Sequence, residues 1–384
     1  MVMSTEIKSF QDLMTDVQRI GFCGKCGGCF SFCSADNLGA LEIGQDGFPV
    51  LADQEKCLRC GICYAICPNT HELDNELREK SEWKPPIGSV KDLISAQTTN
   101  LIVGEKCTDG GVVTSLLIYL LDSHLIDAAL VSRSDGPFHR APLLATTGEE
   151  IISSAGSHFD ESYHVGELGS LYSTYSPAMF ELRKLRKGLI TRVAMVGTPC
   201  QINTVRKMQV LKVIPSDVIK FCFGLFCWEN FSFNDPQLKR LGEKHGFDAT
   251  QVVKINVKED FLVYLGNGTV VHIPFEDMES IARPACLVCP DFSAEYADIS
   301  FGGLGSPDGY TTVLIRSEKG KWIYKGALAA GYIKEKKFPS VQRARSEWME
   351  INSKILNFSD RKKNRALRNR KAAATKMFGI STIQ

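Results

Sequence analysis

Apolar residues recur on several periods along the chain, and each period marks a different kind of segment. Phe10, Leu13, Met14, Val17 and Ile20 fall at helical spacing within residues 1–21, which predicts a short amphipathic helix packed on the segment that follows. From Ala40 to Leu51 apolar and polar residues alternate around Asp46-Gly47, the signature of a hairpin. Residues 112–121 are a nearly unbroken apolar run preceded by Gly110-Gly111, which predicts a buried helix of about three turns. Shorter apolar runs predict buried strands at 126–132, at 193–196 and from Phe221 into a turn reaching Asn230. Residues 298–316 read as two strands around a glycine-rich loop.

The pattern lapses between Glu72 and Lys91, where charge and proline take over around Trp83, Pro85 and Pro86, and a domain boundary is expected there. It changes again near the end, where residues 361–371 carry seven cations in eleven positions. The predicted units are therefore 1–80, 81–340 and a basic helical tail, 341–384, either solvated or docked on an acidic partner or membrane surface. At 384 residues, 44% apolar and 23% charged, the chain can bury a sizeable core. A net charge of +1 gives no general attraction to nucleic acid. The longest apolar run, broken by Thr114 and Ser115, is too short to span a bilayer. The N-terminus has no apolar signal region, so a cytoplasmic location is expected, with membrane association only through a partner.

In a reducing compartment the fourteen cysteines are expected as thiolate ligands rather than disulfides. Cys23, Cys26, Cys29 and Cys33 are spaced C-x2-C-x2-C-x3-C, and Cys57, Cys60, Cys63 and Cys67 repeat the spacing. This is the bacterial-type two-cluster ferredoxin signature, in which each run lends its fourth cysteine to the other run's cluster. One [4Fe–4S] cluster is expected on Cys23, Cys26, Cys29 and Cys67, and the other on Cys57, Cys60, Cys63 and Cys33. Zinc favours ligands grouped as two pairs, and disulfide frameworks belong to small secreted domains. The first run ends in Cys33-Ser34 where the second ends in Cys67-Pro68; proline there shapes a turn and supplies no ligand.

Cys200, just past the strand at 193–196, joins Cys227 and the pair Cys286 and Cys289 in a complete four-thiol set. That set reads as a third cluster, a zinc site or uncoordinated thiols, with Cys107 and Cys222 left over as core thiols. Gly110-Gly111 before a helix either seats a phosphate or flavin edge or only marks a turn. No G-x-G-x-x-G follows a strand, so a Rossmann-type nicotinamide site is unsupported.

Taken in order, the stretches GGVVTSLL, SAGS, VGTPCQ, GLFCWENF and RPACLVCPDFSAEYADISFGG resemble the family of the beta subunit of coenzyme F-420-reducing hydrogenase, over about residues 85–335. With a ferredoxin module in front, the layout looks most like the input subunit of archaeal F-420H2 dehydrogenase, an enzyme of methanogenesis. The resemblance implies an α+β chain: a two-cluster ferredoxin module, then an α/β flavin-binding domain with its own [4Fe–4S] cluster. It implies FAD near Gly110, Gly111, Val112 and Thr114, with Ser154, Ala155, Gly156 and Ser157 close by. It also implies cluster ligands Cys200, Cys227, Cys286 and Cys289. A deazaflavin releases two electrons as hydride whereas a cubane takes one, so a flavin is expected between them. The implied route runs from F-420H2 to FAD, through three clusters, to a respiratory complex, a heterodisulfide reductase or ferredoxin, in either direction. Arg183, Lys184, Arg206 and Lys207 are candidates for a cationic groove taking the acidic F-420 tail. The competing readings are an electron-transfer subunit without hydride chemistry and a ferredoxin-dependent reductase of another substrate, such as a tetrapyrrole.

Overall fold

In the computed structural model, which describes residues 7–35, 39–134, 140–156, 190–231 and 235–378, the N-terminal segment folds around its cysteines. Its first helix begins at Phe10, where the Ser9 N–H donates to the Asp12 carboxylate at 2.6 Å, and passes into a π-turn over Met14–Gln18. Phe10, Leu13 and Val17 are buried against Phe30, Leu41 and Tyr64, as the spacing predicts. The hairpin forms from β1 (Leu41–Ile43) and β2 (Pro49–Leu51), paired antiparallel. Its turn places Gly47 at φ +76°, a backbone angle that glycine adopts without steric cost. Helix Gly28–Ala35 carries Cys29 and Cys33, and helix Ile62–Ala65 carries Cys63.

Helix Asp74–Lys80 leads into the second unit, built from β3 (Asp92–Thr98), β4 (Ala128–Ser134), β5 (Arg140–Ala145), β6 (Val193–Gly197) and β7 (Ile219–Leu225). A separate antiparallel sheet follows, β8 (Val252–Val257), β9 (Phe261–Leu265) and β10 (Val270–Ile273). The main sheet is completed by β11 (Ile299–Gly302), β12 (Thr311–Ile315) and β13 (Ile333–Glu335). Its order is β13-β3-β12-β11-β7-β6-β4-β5. The four central strands β11, β7, β6 and β4 run parallel, and antiparallel strands flank them on both sides. Helices Val112–Asp122 and Glu318–Ala329 cover one face and helix Pro199–Leu211 the other, so the parallel strands are buried on both sides, as such strands require.

The C-terminal segment departs from the expectation of a solvated tail. Val341–Phe378 is one helix whose Ile351, Ile355 and Phe358 enter the core with Trp228, Phe275 and Phe292. Those three positions, spaced i, i+4, i+7, form one apolar stripe. Among the described residues no helix is long and apolar enough to cross a membrane.

Candidate functional site

The carboxyl ends of the four parallel strands open into one cleft of about 1310 Å³, counted with its mouth. Each strand contributes near its end: Ser132 in the last residues of β4, Gly197 at the end of β6, Phe226 after β7, and Gly302 with Gly303 at the end of β11. Ligands of open α/β sheets bind at this edge. The floor is the first turn of helix Val112–Asp122, where Gly111, Val112 and Thr114 line the cleft. Gly111 stands at the cap with φ +69° and has no side chain over the free amides of that turn. Ser154, Ala155 and Gly156 line the same cleft. Gly110 lies behind it: a Cβ there would come 2.5 Å from the Ala96 carbonyl and the Thr311 amide, so its role is close backbone approach. Ser157, Arg183 and Lys184 lie outside the described residues.

Phe226, Trp228, Phe292 and Phe358 give the cleft an aromatic lining. Trp228 is 6% exposed, and its indole N–H has no partner among the described residues. A buried N–H normally has one, so this donor suits a polar ligand atom. At the polar end stand Asp109, Asn256 and Lys258. Asn256 donates to the Asp109 carboxylate at 3.1 Å, and burial raises the pKa of Asp109. Lys258 reaches Asp308 at 2.5 Å; burial opposes its charge, but Asp308 and Asp109 outweigh that and raise its pKa. Lys254, Asn256 and Lys258 alternate along one face of β8 and beyond, a period-2 polar signal that a reading of the sequence could have used. Arg206 and Lys207 are committed elsewhere. Arg206 pairs with Asp298 at 3.0 Å, and the fully buried Lys207 pairs with Asp74 at 2.9 Å.

The twelve candidate ligand thiols fall into three neighbourhoods. Burial lifts the Cys29 thiol well above its ordinary pKa, and Cys26, Cys23, Cys63 and Cys67 add to that. Burial likewise lifts Cys63 to about 12, reinforced by Cys60, Cys33 and Cys57. It lifts Cys227 to about 12, opposed by Lys362 and reinforced by Cys286 and Cys289. The first expected set is Cys23, Cys26, Cys29 and Cys67, the second Cys33, Cys57, Cys60 and Cys63, and the third Cys200, Cys227, Cys286 and Cys289, and these interactions put members of each near one another. Cys29 feels Cys63 of the second set, and Cys200 feels Cys26 of the first, so the three follow one another in space. Cys60 is exposed at the far end. Cys200 sits in the first turn of helix Pro199–Leu211, started by Pro199 and by Gln201 accepting from the Thr198 N–H at 3.0 Å. The Asn230 N–H donates to the Cys286 sulfur at 3.3 Å. Of the two remaining cysteines, Cys222 is buried in β7, while Cys107 lines the cleft and donates to the Asp109 carbonyl at 2.8 Å. Among the described residues no three His, Cys, Asp or Glu side chains close on a point that would hold a single metal ion.

The C-terminal helix lies against the third set. Lys362, 1% exposed, donates to the carbonyls of Cys227 at 2.5 Å and Asp291 at 2.8 Å. Asn369 and Arg370 donate to the carbonyls of Leu287 at 3.0 Å and Val288 at 2.9 Å, between Cys286 and Cys289. Arg370 also reaches Asn69 at 2.8 Å, so the helix ties the third set to the N-terminal segment.

A cleft at the carboxyl ends of parallel strands beside three groups of thiols suits an electron-transferring oxidoreductase component. Two models of the family "Coenzyme F420 hydrogenase/dehydrogenase, beta subunit" match the chain, the N-terminal one over residues 93–168 and the C-terminal one over 190–341. The beta subunit of the coenzyme F420 hydrogenase of Methanothermobacter thermautotrophicus is 32% identical over 302 residues, 77% of this chain and 99% of that one. A component of the F(420)H(2) dehydrogenase of Methanosarcina mazei is 26% identical, covering 80% of this chain and 83% of that one. The coenzyme F420-dependent sulfite reductase of Methanocaldococcus jannaschii is 31% identical over 81% of this chain, which spans only 46% of that protein. Among solved structures, one polypeptide of the F420-reducing [NiFe] hydrogenase complex from Methanosarcina barkeri superposes with a TM-score of 0.64 at 28% identity, covering 78% of this chain and 98% of its own. The chain belongs to the family of the coenzyme F420 hydrogenase/dehydrogenase beta subunit.

Proposed function

We propose that the chain is an F-420H2-oxidising iron–sulfur flavoprotein, with two [4Fe–4S] clusters on residues 1–80 and FAD and a third cluster on 81–340. One juxtaposition carries the reading. Phe226 and Trp228 line the cleft, and Cys227 between them belongs to the third thiol set. A ring bound against those aromatics stands next in sequence to a cluster ligand.

The residues present fit the groups. The bare first turn at Gly111 offers amides and the positive helix end to a phosphate. The Trp228 N–H offers a donor to a ring heteroatom, and Lys258 offers a cation to an anionic substrate, displacing Asp308. The thiols of the two N-terminal runs line small cavities between the runs, which suits clusters shared by both. FAD, when bound, supplies the exchange between hydride and single electrons. The relatives' names support F-420 as the redox partner, as donor in the F(420)H(2) dehydrogenase and as acceptor in the F420-reducing hydrogenase, and the multisubunit neighbour supports partner polypeptides. The spatial order of the thiol sets supports electron flow from third to first to second, leaving at Cys60.

The anaerobically purified chain should carry about twelve irons, with flavin absorbance that reduced F-420 bleaches. Clusters without flavin would leave electron transfer alone. About eight irons would remove the third cluster, and zinc in its place would revive the zinc reading. Lys258→Ala should raise KM for F-420H2 about tenfold, a loss of about 1.4 kcal/mol, with kcat little changed. An unchanged KM would take Lys258 out of substrate recognition.

A further inference from the structure

We infer that Lys362 of the C-terminal helix sets the reduction potential of the third cluster, holding a fixed positive charge against it. The inference rests on the cluster assignment proposed above and lies outside the matched family segments, which end at residue 341.

The geometry separates Lys362 from its neighbours Arg361, Lys363 and Arg365 on the helix. Arg361 pairs with Glu276, Lys363 with Glu295 and Arg365 with Glu229. Lys362 makes no ion pair among the described residues, yet is 1% exposed. Its ammonium is pinned instead by two carbonyls, one of Cys227 itself and one of Asp291, two residues beyond Cys289. A buried charge without a carboxylate partner needs another source of negative charge. A four-thiolate cluster on the third set, whose ligand Cys227 carries one of those carbonyls, would supply it.

Reduction adds one electron to the cluster, with no bond made or broken. A nearby cation inside a poorly screened interior favours the more negative, reduced state and raises the potential. The third cluster is the one beside the cleft, so the charge biases electrons out of the cleft.

The full chain with its clusters, titrated with dithionite and mediators and read by electron paramagnetic resonance, tests this. Lys362→Gln keeps a donor but loses the charge, while Lys362→Arg keeps the charge. Lys362→Gln should retain about twelve irons and shift one cluster to more negative potential by at least tenfold in its reduced-to-oxidised ratio, about 59 mV for a one-electron couple. The other two clusters should not move, and Lys362→Arg should stay near the unaltered chain. Three unmoved potentials, an arginine variant shifted as far as the glutamine one, or iron falling to about eight in Lys362→Gln would each overturn the inference. About eight irons in the unaltered chain would instead overturn the cluster assignment beneath it.

Discussion

Cys200→Ala should leave flavin bleaching by reduced F-420 intact and stop the reduction of the two N-terminal clusters, whereas Cys60→Ala should spare both flavin and third cluster and fail only in delivery to the natural acceptor. The asymmetry follows from position. Cys200 is the third-set thiol that feels Cys26 of the first set, at the step between the sheet domain and the cysteine runs. Cys60 is the exposed thiol of the second set, with Leu58 71% exposed beside it on the same loop. An apolar side chain held out next to an exposed ligand suits a docking surface for a protein acceptor. Rapid mixing with reduced F-420, following flavin absorbance and cluster signals separately, distinguishes the steps. Equal loss of flavin bleaching in both variants would contradict the order of the sites.

The readable parts of the chain were those specified by local spacing. The two cysteine runs, the Asp46-Gly47 hairpin and the central strands could be placed because a period of 2 or 3.6, or a fixed ligand interval, is contained within a few residues. The glycine-led helix at 112–122 was legible for the same reason, and six of the eight residues expected near the flavin line the cleft. What escaped depends on partners far away in sequence. Lys207 read as a surface cation because nothing local reveals Asp74, 133 positions earlier. The stripe of Ile351, Ile355 and Phe358 was diluted by the cations that follow it, and two of those, Lys362 and Arg365, are buried because carbonyls and a carboxylate of other loops meet them. The three strands β8 to β10 carry a period-2 signal at Lys254, Asn256 and Lys258, but that they bring Asn256 and Lys258 to the cleft is set by where they pack.

Arg365→Met should destabilise the chain by about 3–5 kcal/mol, the cost of leaving a buried carboxylate unpaired. The Arg365 guanidinium pairs with Glu229, whose side chain is wholly buried, and lies 4.7 Å over the Trp228 ring. Glu229 cannot turn to water without drawing out the loop that holds Cys227, Trp228 and Asn230. The damage should therefore be local as well as global. Iron should fall by about four per chain at the third site while the N-terminal clusters persist, because their ligands lie on other segments. Glu229→Gln combined with Arg365→Met removes the stranded charge and should recover most of the stability, since a paired charge and a neutral pair cost about the same to bury. Urea unfolding with iron analysis reads both quantities. A double variant no more stable than Arg365→Met alone would mean that the arginine acts by packing on Trp228 and not by neutralising Glu229.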